Sequence, residues 1–74
     1  MMAQYLIVST NGPQGEPAPA VSVFANSAGE AHEESALKDR DVVVLKQDTL
    51  NANTWHRIGQ FVFKEIREKQ WVAA

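Results

Sequence analysis

Short apolar runs separated by polar segments divide the 74-residue chain into five predicted elements. Residues 4–9 indicate a strand in which Tyr5 and Ile7 face one way and the apolar residues beside them face the other. Residues 41–47 include four consecutive apolar positions, three of them valine, and are predicted to form a central strand. Apolar residues on both faces are typical of strands that are covered on both sides or lie at an interface.

Between these two segments, the pattern predicts a second strand that runs directly into a helix. The strand spans residues 21–25, and Ser27 and Glu30 follow it with the spacing of a capping box. The helix is expected to extend to about Lys38, with small residues and His32 on its inner face. Residues 10–20 hold all three prolines and two of the four glycines, so an irregular loop is expected there.

The last third of the chain, residues 54–72, is predicted to form a second helix. At helical spacing its apolar residues share one broad arc, and most of its polar residues share the opposite arc. A strand is the alternative, because residues 61–63 have strand propensity and Gly59 weakens a helix by about 1 kcal/mol. Read as a continuous strand, however, each face mixes polar and apolar residues, which favours the helix.

Together these elements predict a single α+β domain over residues 1–74. We expect a small three-stranded antiparallel sheet with two helices in the order ββαβα, or ββαββ if the C-terminal segment is a fourth strand. A chain this short buries only about 60% of the surface of its unfolded form. Because there is no cysteine to form disulfides, the core must come from side chains or from an oligomer interface. Monomer and homodimer both remain open.

The charge distribution is uneven along the chain, although the net charge is only −2. Residues 1–44 hold six acidic and two basic residues, whereas residues 45–74 hold five basic and three acidic ones. The longest apolar runs have four residues, far short of the roughly 20 that a membrane helix needs. The amino terminus lacks the features of a secretory signal. We therefore expect a cytoplasmic protein without a membrane partner.

No residue pattern indicates catalysis, a cofactor or a metal. His32 is followed by two glutamates, but the second histidine of a zinc helix is absent. The serines lack the local sequence of a nucleophile, and no glycine-rich turn joins a strand to a helix. The sequence therefore predicts a protein that is not an enzyme, in which His32 is a partly buried histidine with one hydrogen-bond partner.

The polar arc of the predicted C-terminal helix is the candidate partner-binding surface. The residues of this surface are His56, Arg57, Gln60, Lys64 and Arg67 on the arc, together with Trp71 beyond it. The alternative is an ordinary solvated helix face, with Trp71 either packed back on the domain or free to anchor a partner. A protein with an acidic surface is the expected partner, and nucleic acid is the second choice because the domain as a whole is acidic.

The layout of the chain resembles the small host-takeover proteins of bacteriophages. The resemblance rests on the opening strand QYLIVS, the strand-to-capped-helix segment VSVFANSAGEAHEESAL and the charged amphipathic tail, and it covers most of the chain. It implies a non-enzymatic protein that binds and modulates a larger host complex such as RNA polymerase, acting as a transcription regulator. It assigns no functional residue.

Overall fold

A computed structural model describes residues 2–10, 19–38, 40–63 and 68–74 of the chain. Over these ranges it contains five strands and one helix: β1 (Ala3–Ser9), β2 (Ala20–Ala25), α1 (Ala28–Glu34), β3 (Val42–Gln47), β4 (Trp55–Phe63) and β5 (Lys69–Ala73). The strands form one sheet in the order β2-β1-β3-β4-β5, and every neighbouring pair is antiparallel. Because β2 and β3 both run antiparallel to β1, α1 connects two parallel strands across it.

The predicted three-stranded α+β fold with two helices is therefore wrong. The order is ββαβββ, because the segment predicted as the second helix contributes β4 and β5. The alternative order, ββαββ, is one strand short. The central position of the third strand is confirmed, since β3 is the middle strand of the sheet. The predicted loop at residues 10–20 lies mostly outside the described residues.

A β-bulge in β4 explains why this strand has the sequence pattern of a helix. Gly59 lies opposite Val44 and Arg57 lies opposite Leu45, so Ile58 is an extra residue in β4. The two-residue alternation of faces breaks at this point, and the apolar positions on either side of the break combine into an arc at helical spacing.

The helix α1 is shorter than predicted because Ser35 ends it. The predicted cap at Ser27 is confirmed, since its hydroxyl accepts a hydrogen bond from the Glu30 amide at 3.2 Å. Ser35 has an extended backbone, and its hydroxyl donates to the carbonyl of His32 at 2.7 Å. The same hydroxyl accepts from the amide of Leu37 at 3.2 Å. These local bonds replace the next turn of helix.

The core lies on one face of the sheet, beneath α1. Its strand residues alternate along β1 and β3, as expected for a sheet that is covered on one side. The buried apolar residues are Tyr5, Ile7, Ala25, Ala31, Leu37, Val42, Val44 and Phe61. The helix contacts β1 and β2 on this side. We call this side of the sheet the helix side.

The opposite side has no layer of described residues packed over it, and we call it the open face. The register aligns two rows of side chains across it, Ser22–Leu6–Leu45–Arg57 and Ala20–Val8–Val43–Gln60–Val72. The central apolar residues of these rows are only partly buried, in contrast to their neighbours on the helix side. Of the two expectations for strands with apolar residues on both faces, coverage of β1 and β3 on both sides is therefore not seen among the described residues, and a position at an interface stays a prediction.

Candidate functional site

The predicted contact residues do not share one face of the molecule. Arg57 and Gln60 lie on the open face, whereas the register places His56 opposite Lys46, and Trp71 opposite Phe61, on the helix side. Two of the predicted residues, Lys64 and Arg67, lie outside the described residues. The polar arc expected from a helix thus becomes two separate groups, because successive residues of a strand point to opposite faces.

His56 lies in β4, and its side chain contacts the loop between β3 and β4. Its Nε2 lies 3.0 Å from Oδ1 of Asp48, and the other carboxylate oxygen accepts from the amides of Leu50 at 3.0 Å and Asn51 at 2.8 Å. The hydrogen bond with His56 lowers the pKa of Asp48 below its usual value, and the hydrogen bonds from the two backbone amides lower it further. The arrangement organises a turn, which is a structural role for His56.

Arg57 and Gln60 are brought together by the bulge. Nη2 of Arg57 donates to Oε1 of Gln60 at 3.3 Å, although residues three apart in a regular strand would face opposite sides. The pair lies at the β4 end of the two apolar rows that cross the open face. Both side chains therefore border the apolar surface formed by β1 and β3.

Trp71 packs on its own domain, which favours the first of its two predicted roles. Its ring centroid lies 4.7 Å from that of Phe61, with the planes inclined by 54°. A Cβ on Gly59 would lie 2.6 Å from Cη2 of Trp71, so the indole ring occupies the space that a side chain there would fill. Trp71 retains 39% of its surface exposed, so it covers the edge of the core without being buried in it.

His32 is a core residue that stacks on Phe61. The two ring centroids are 4.8 Å apart and nearly parallel. Its Nε2 donates to the carbonyls of Leu37 at 2.9 Å and Arg40 at 3.2 Å, so it has two partners rather than the one expected. Burial lowers the pKa of His32, and the nearby charge of Lys69 adds to this effect. His32 therefore ties the segment after α1 to the core as a neutral imidazole.

A cleft of about 430 Å³ lies between α1 and the β4–β5 pair, on the helix side. Its described lining includes Glu33, Lys38, Phe63 and Lys69. Nζ of Lys69 lies 3.9 Å from a carboxylate oxygen of Glu33 and 4.3 Å from the ring centroid of Phe61, so this cation is already engaged within the domain. The described residues contain no cluster of three or more metal-binding side chains. The described part of the lining offers charged groups but no nucleophile with an adjacent base.

The open face of the sheet has a different chemistry from this cleft. Its middle consists of Leu6, Val8, Val43 and Leu45, and Phe24 on the edge strand β2 is 56% exposed. Among the strand residues that the register places on this face, Arg57 is the one with a formal charge. A broad apolar surface with a polar border is typical of a protein-binding site.

The sequence contained a signal for this surface, but the signal was incomplete. Apolar residues on both faces of the first and third strands indicated either two covered faces or an interface. Choosing between them requires knowing on which side α1 packs and whether a second layer forms, and neither follows from the alternation within one strand.

No helix among the described residues is long and apolar enough to cross a membrane. Comparisons with protein-family models, with curated proteins and with solved structures find no significant match to the chain.

Proposed function

We propose that this chain is a non-enzymatic protein-binding module that uses the open face of its sheet to bind a larger complex. The observation that carries the proposal is the apolar centre of the sheet, where Leu6, Val8, Val43 and Leu45 are left partly exposed. Burial of apolar surface contributes about 25 cal/mol per Å². Because the four side chains are already partly buried, their remaining exposed area is what adds to the driving force for association.

The size of the open face suits a protein partner. Five strands about 4.8 Å apart, each about six residues long at roughly 3.4 Å per residue, span about 24 by 20 Å. The projected area is about 480 Å². This is of the same order as the roughly 800 Å² per partner of a standard interface. A flat surface of this kind fits a partner surface better than it fits a small molecule.

The charge of the open face favours protein over nucleic acid. Phosphate binding draws its affinity from several cations, whereas Arg57 is the one cation among the strand residues that the register places on this face. We expect an apolar partner surface with an acidic group opposite Arg57. The resemblance to bacteriophage host-takeover proteins suggests a large cytoplasmic complex of a host cell, with RNA polymerase as the first candidate to test. The proposed effect is modulation of that complex by occupying its surface.

Affinity capture with a matched pair of variants tests this proposal. Leu45→Glu places a charge in the middle of the open face, whereas Leu50→Glu makes the same change in the β3–β4 loop, at a residue that is 97% exposed. Tagged wild type and both variants are incubated with host lysate, and captured proteins are quantified by mass spectrometry. Wild type and Leu50→Glu should capture the same complex, and Leu45→Glu should lose it while remaining folded. Equal capture by a folded Leu45→Glu variant would contradict the proposal.

A further inference from the structure

The strand β2 is an edge strand that lacks, among the described residues, the features that usually protect an edge. It lies at one end of the sheet order, so one side of its backbone faces away from β1. Its sequence, AVSVFA, contains no charged residue and no proline, and the register with β1 is regular along its whole length. Natural edge strands are usually blunted by lysine, proline, bulges or a covering element. An uncharged and regular edge of six residues is a template for another strand.

The direction of the free backbone groups follows from the hydrogen bond at the end of the strand pair. The amide of Ser9 donates to the carbonyl of Pro19 at 2.9 Å, so residue 19 directs its carbonyl toward β1. The backbone amide and carbonyl groups of successive strand residues point alternately to the two sides of the strand. Val21 and Val23 therefore also direct these groups toward β1. The backbone groups of residues 20, 22 and 24 therefore point outward from the sheet.

From this geometry we infer that β2 pairs with β2 of a second copy of this chain, in antiparallel orientation and with Ser22 on the two-fold axis. Each residue then faces a residue on the same side of the joined sheet, as antiparallel pairing requires. Ser22 lies opposite its own copy, and Ala20 lies opposite Phe24. This register uses all the outward-directed groups of β2 and forms about six hydrogen bonds, two for each opposed pair.

The side chains of β2 suit this self-pairing. A two-fold axis repeats every charge across the interface, and β2 has none to repel its copy. Phe24 is 56% exposed, and in this register its ring faces the small Ala20 of the second copy across the seam. A centre at Val23 would leave Ala20 opposite Asn26, which lies beyond the end of the strand. The centre at Ser22 therefore keeps the whole strand in the ladder.

The other edge of the sheet is a poorer choice. The strand β5 has five residues instead of six and begins with Lys69, whose cationic side chain is of the kind that protects edges. Pairing through β2 also leaves the open face free and joins two copies of it into one larger surface. The inference does not depend on the proposed function, because a dimer can form whether or not a partner binds.

Sedimentation equilibrium of the full chain and of edge variants tests the pairing. Because the amide of Ser22 points outward, Ser22→Pro blocks the edge without removing a backbone hydrogen bond to β1, although it removes the side-chain bond that Ser22 accepts from Gln4. Ser22→Lys blocks it by placing two cations at the axis. Gln70→Lys, on the exposed strand β5, is the matched control. Wild type and Gln70→Lys should show twice the monomer mass of 8.2 kDa, and both Ser22 variants should show the monomer mass.

Disulfide formation tests the register, since the chain has no cysteine of its own. Opposed residues of a hydrogen-bonded pair have Cα atoms about 5.5 Å apart, within the range of a disulfide. Ser22→Cys should therefore cross-link at least about tenfold faster than Gln70→Cys, whose copies would lie about 40 Å apart. Circular dichroism checks that each variant is folded.

Three results would overturn the inference. The first is a monomer mass for wild type from micromolar to millimolar concentration. The second is equal cross-linking rates for Ser22→Cys and Gln70→Cys. The third is a dimer that persists in Ser22→Lys but dissociates in Leu45→Glu, because that pattern would mean that two copies pair through their open faces.

Discussion

Replacing Gly59 by alanine tests the contact that holds β5 and Trp71 on the sheet. A Cβ at this position would lie 2.6 Å from Cη2 of Trp71 and 2.7 Å from the carbonyl oxygen of Val72. Both distances are far below ordinary van der Waals separation, so the indole ring and the β5 backbone must move away from β4. Moving the ring also weakens its contact with Phe61, whose centroid is 4.7 Å away.

The expected cost of Gly59→Ala is about 2–3 kcal/mol. Overpacking contributes about 1–3 kcal/mol, and loss of an aromatic pair contributes roughly 0.5–1.5 kcal/mol. For a domain of this size, each kcal/mol lowers the Tm by about 4–8 °C, so the Tm should fall by roughly 10–20 °C. The total stability expected for a chain of this length is about 4–11 kcal/mol, so the variant should remain folded at low temperature.

Thermal unfolding followed by circular dichroism measures this effect, and Gly29→Ala is the matched control. A Cβ on Gly29 would meet no atom within 4 Å, and because Gly29 lies in α1 this change should stabilise the chain by about 0.5–1 kcal/mol. In a Trp71→Ala background, Gly59→Ala should cost less, because the two indole atoms nearest to the added Cβ are gone while the Val72 carbonyl remains. An unchanged Tm for Gly59→Ala, or an equal cost in both backgrounds, would refute the packing described here.

Two further predictions concern polar groups that hold the core together. Burial lowers the pKa of His32 below 6.5, so the unfolded chain binds this proton more readily, and the free energy of unfolding should fall as the pH drops below about 6.5. Urea denaturation between neutral pH and about pH 5 should show this loss of stability in wild type and in His56→Gln but not in His32→Gln. The same dependence of unfolding free energy on pH in all three chains would contradict the assignment to His32. The carboxylate of Asp41 accepts a hydrogen bond from the amide of Phe63 at 2.9 Å. Asp41→Ala should therefore lower the free energy of unfolding by about 1–2 kcal/mol, and Asp41→Asn should lower it less. Equal urea midpoints for wild type and both variants would contradict a stabilising role for this bond.

The first half of the fold can be predicted from local sequence patterns. Alternation along β1 and the valine run of β3 are strand patterns that need no tertiary information, and the spacing of Ser27 and Glu30 marks the start of α1. The early end of α1 is harder to predict, because Ser35 ends it through bonds that also depend on where His32 and Leu37 are packed.

The second half depends on pairing between strands, which local patterns do not contain. The bulge at Ile58 can be recognised only once Val44 and Gly59 are known to lie opposite each other. The same bulge places Arg57 and Gln60 on one face. Helical spacing also predicts that they share a face, although this segment is not a helix. The position of Trp71 likewise follows from the β4–β5 register and from the absence of a side chain on Gly59.

Side-chain footprinting with hydroxyl radicals tests the central claim that the open face is the binding surface. In the free protein, Leu6, Val8 and Leu45 should be labelled more strongly than Ile7 and Val44, which are buried on the other side of the same strands. In the complex with the captured partner, labelling of Leu45 should fall sharply while that of Leu50 stays unchanged. Unchanged labelling of Leu45 in the complex, with protection found instead at Trp71 or Lys38, would contradict the account.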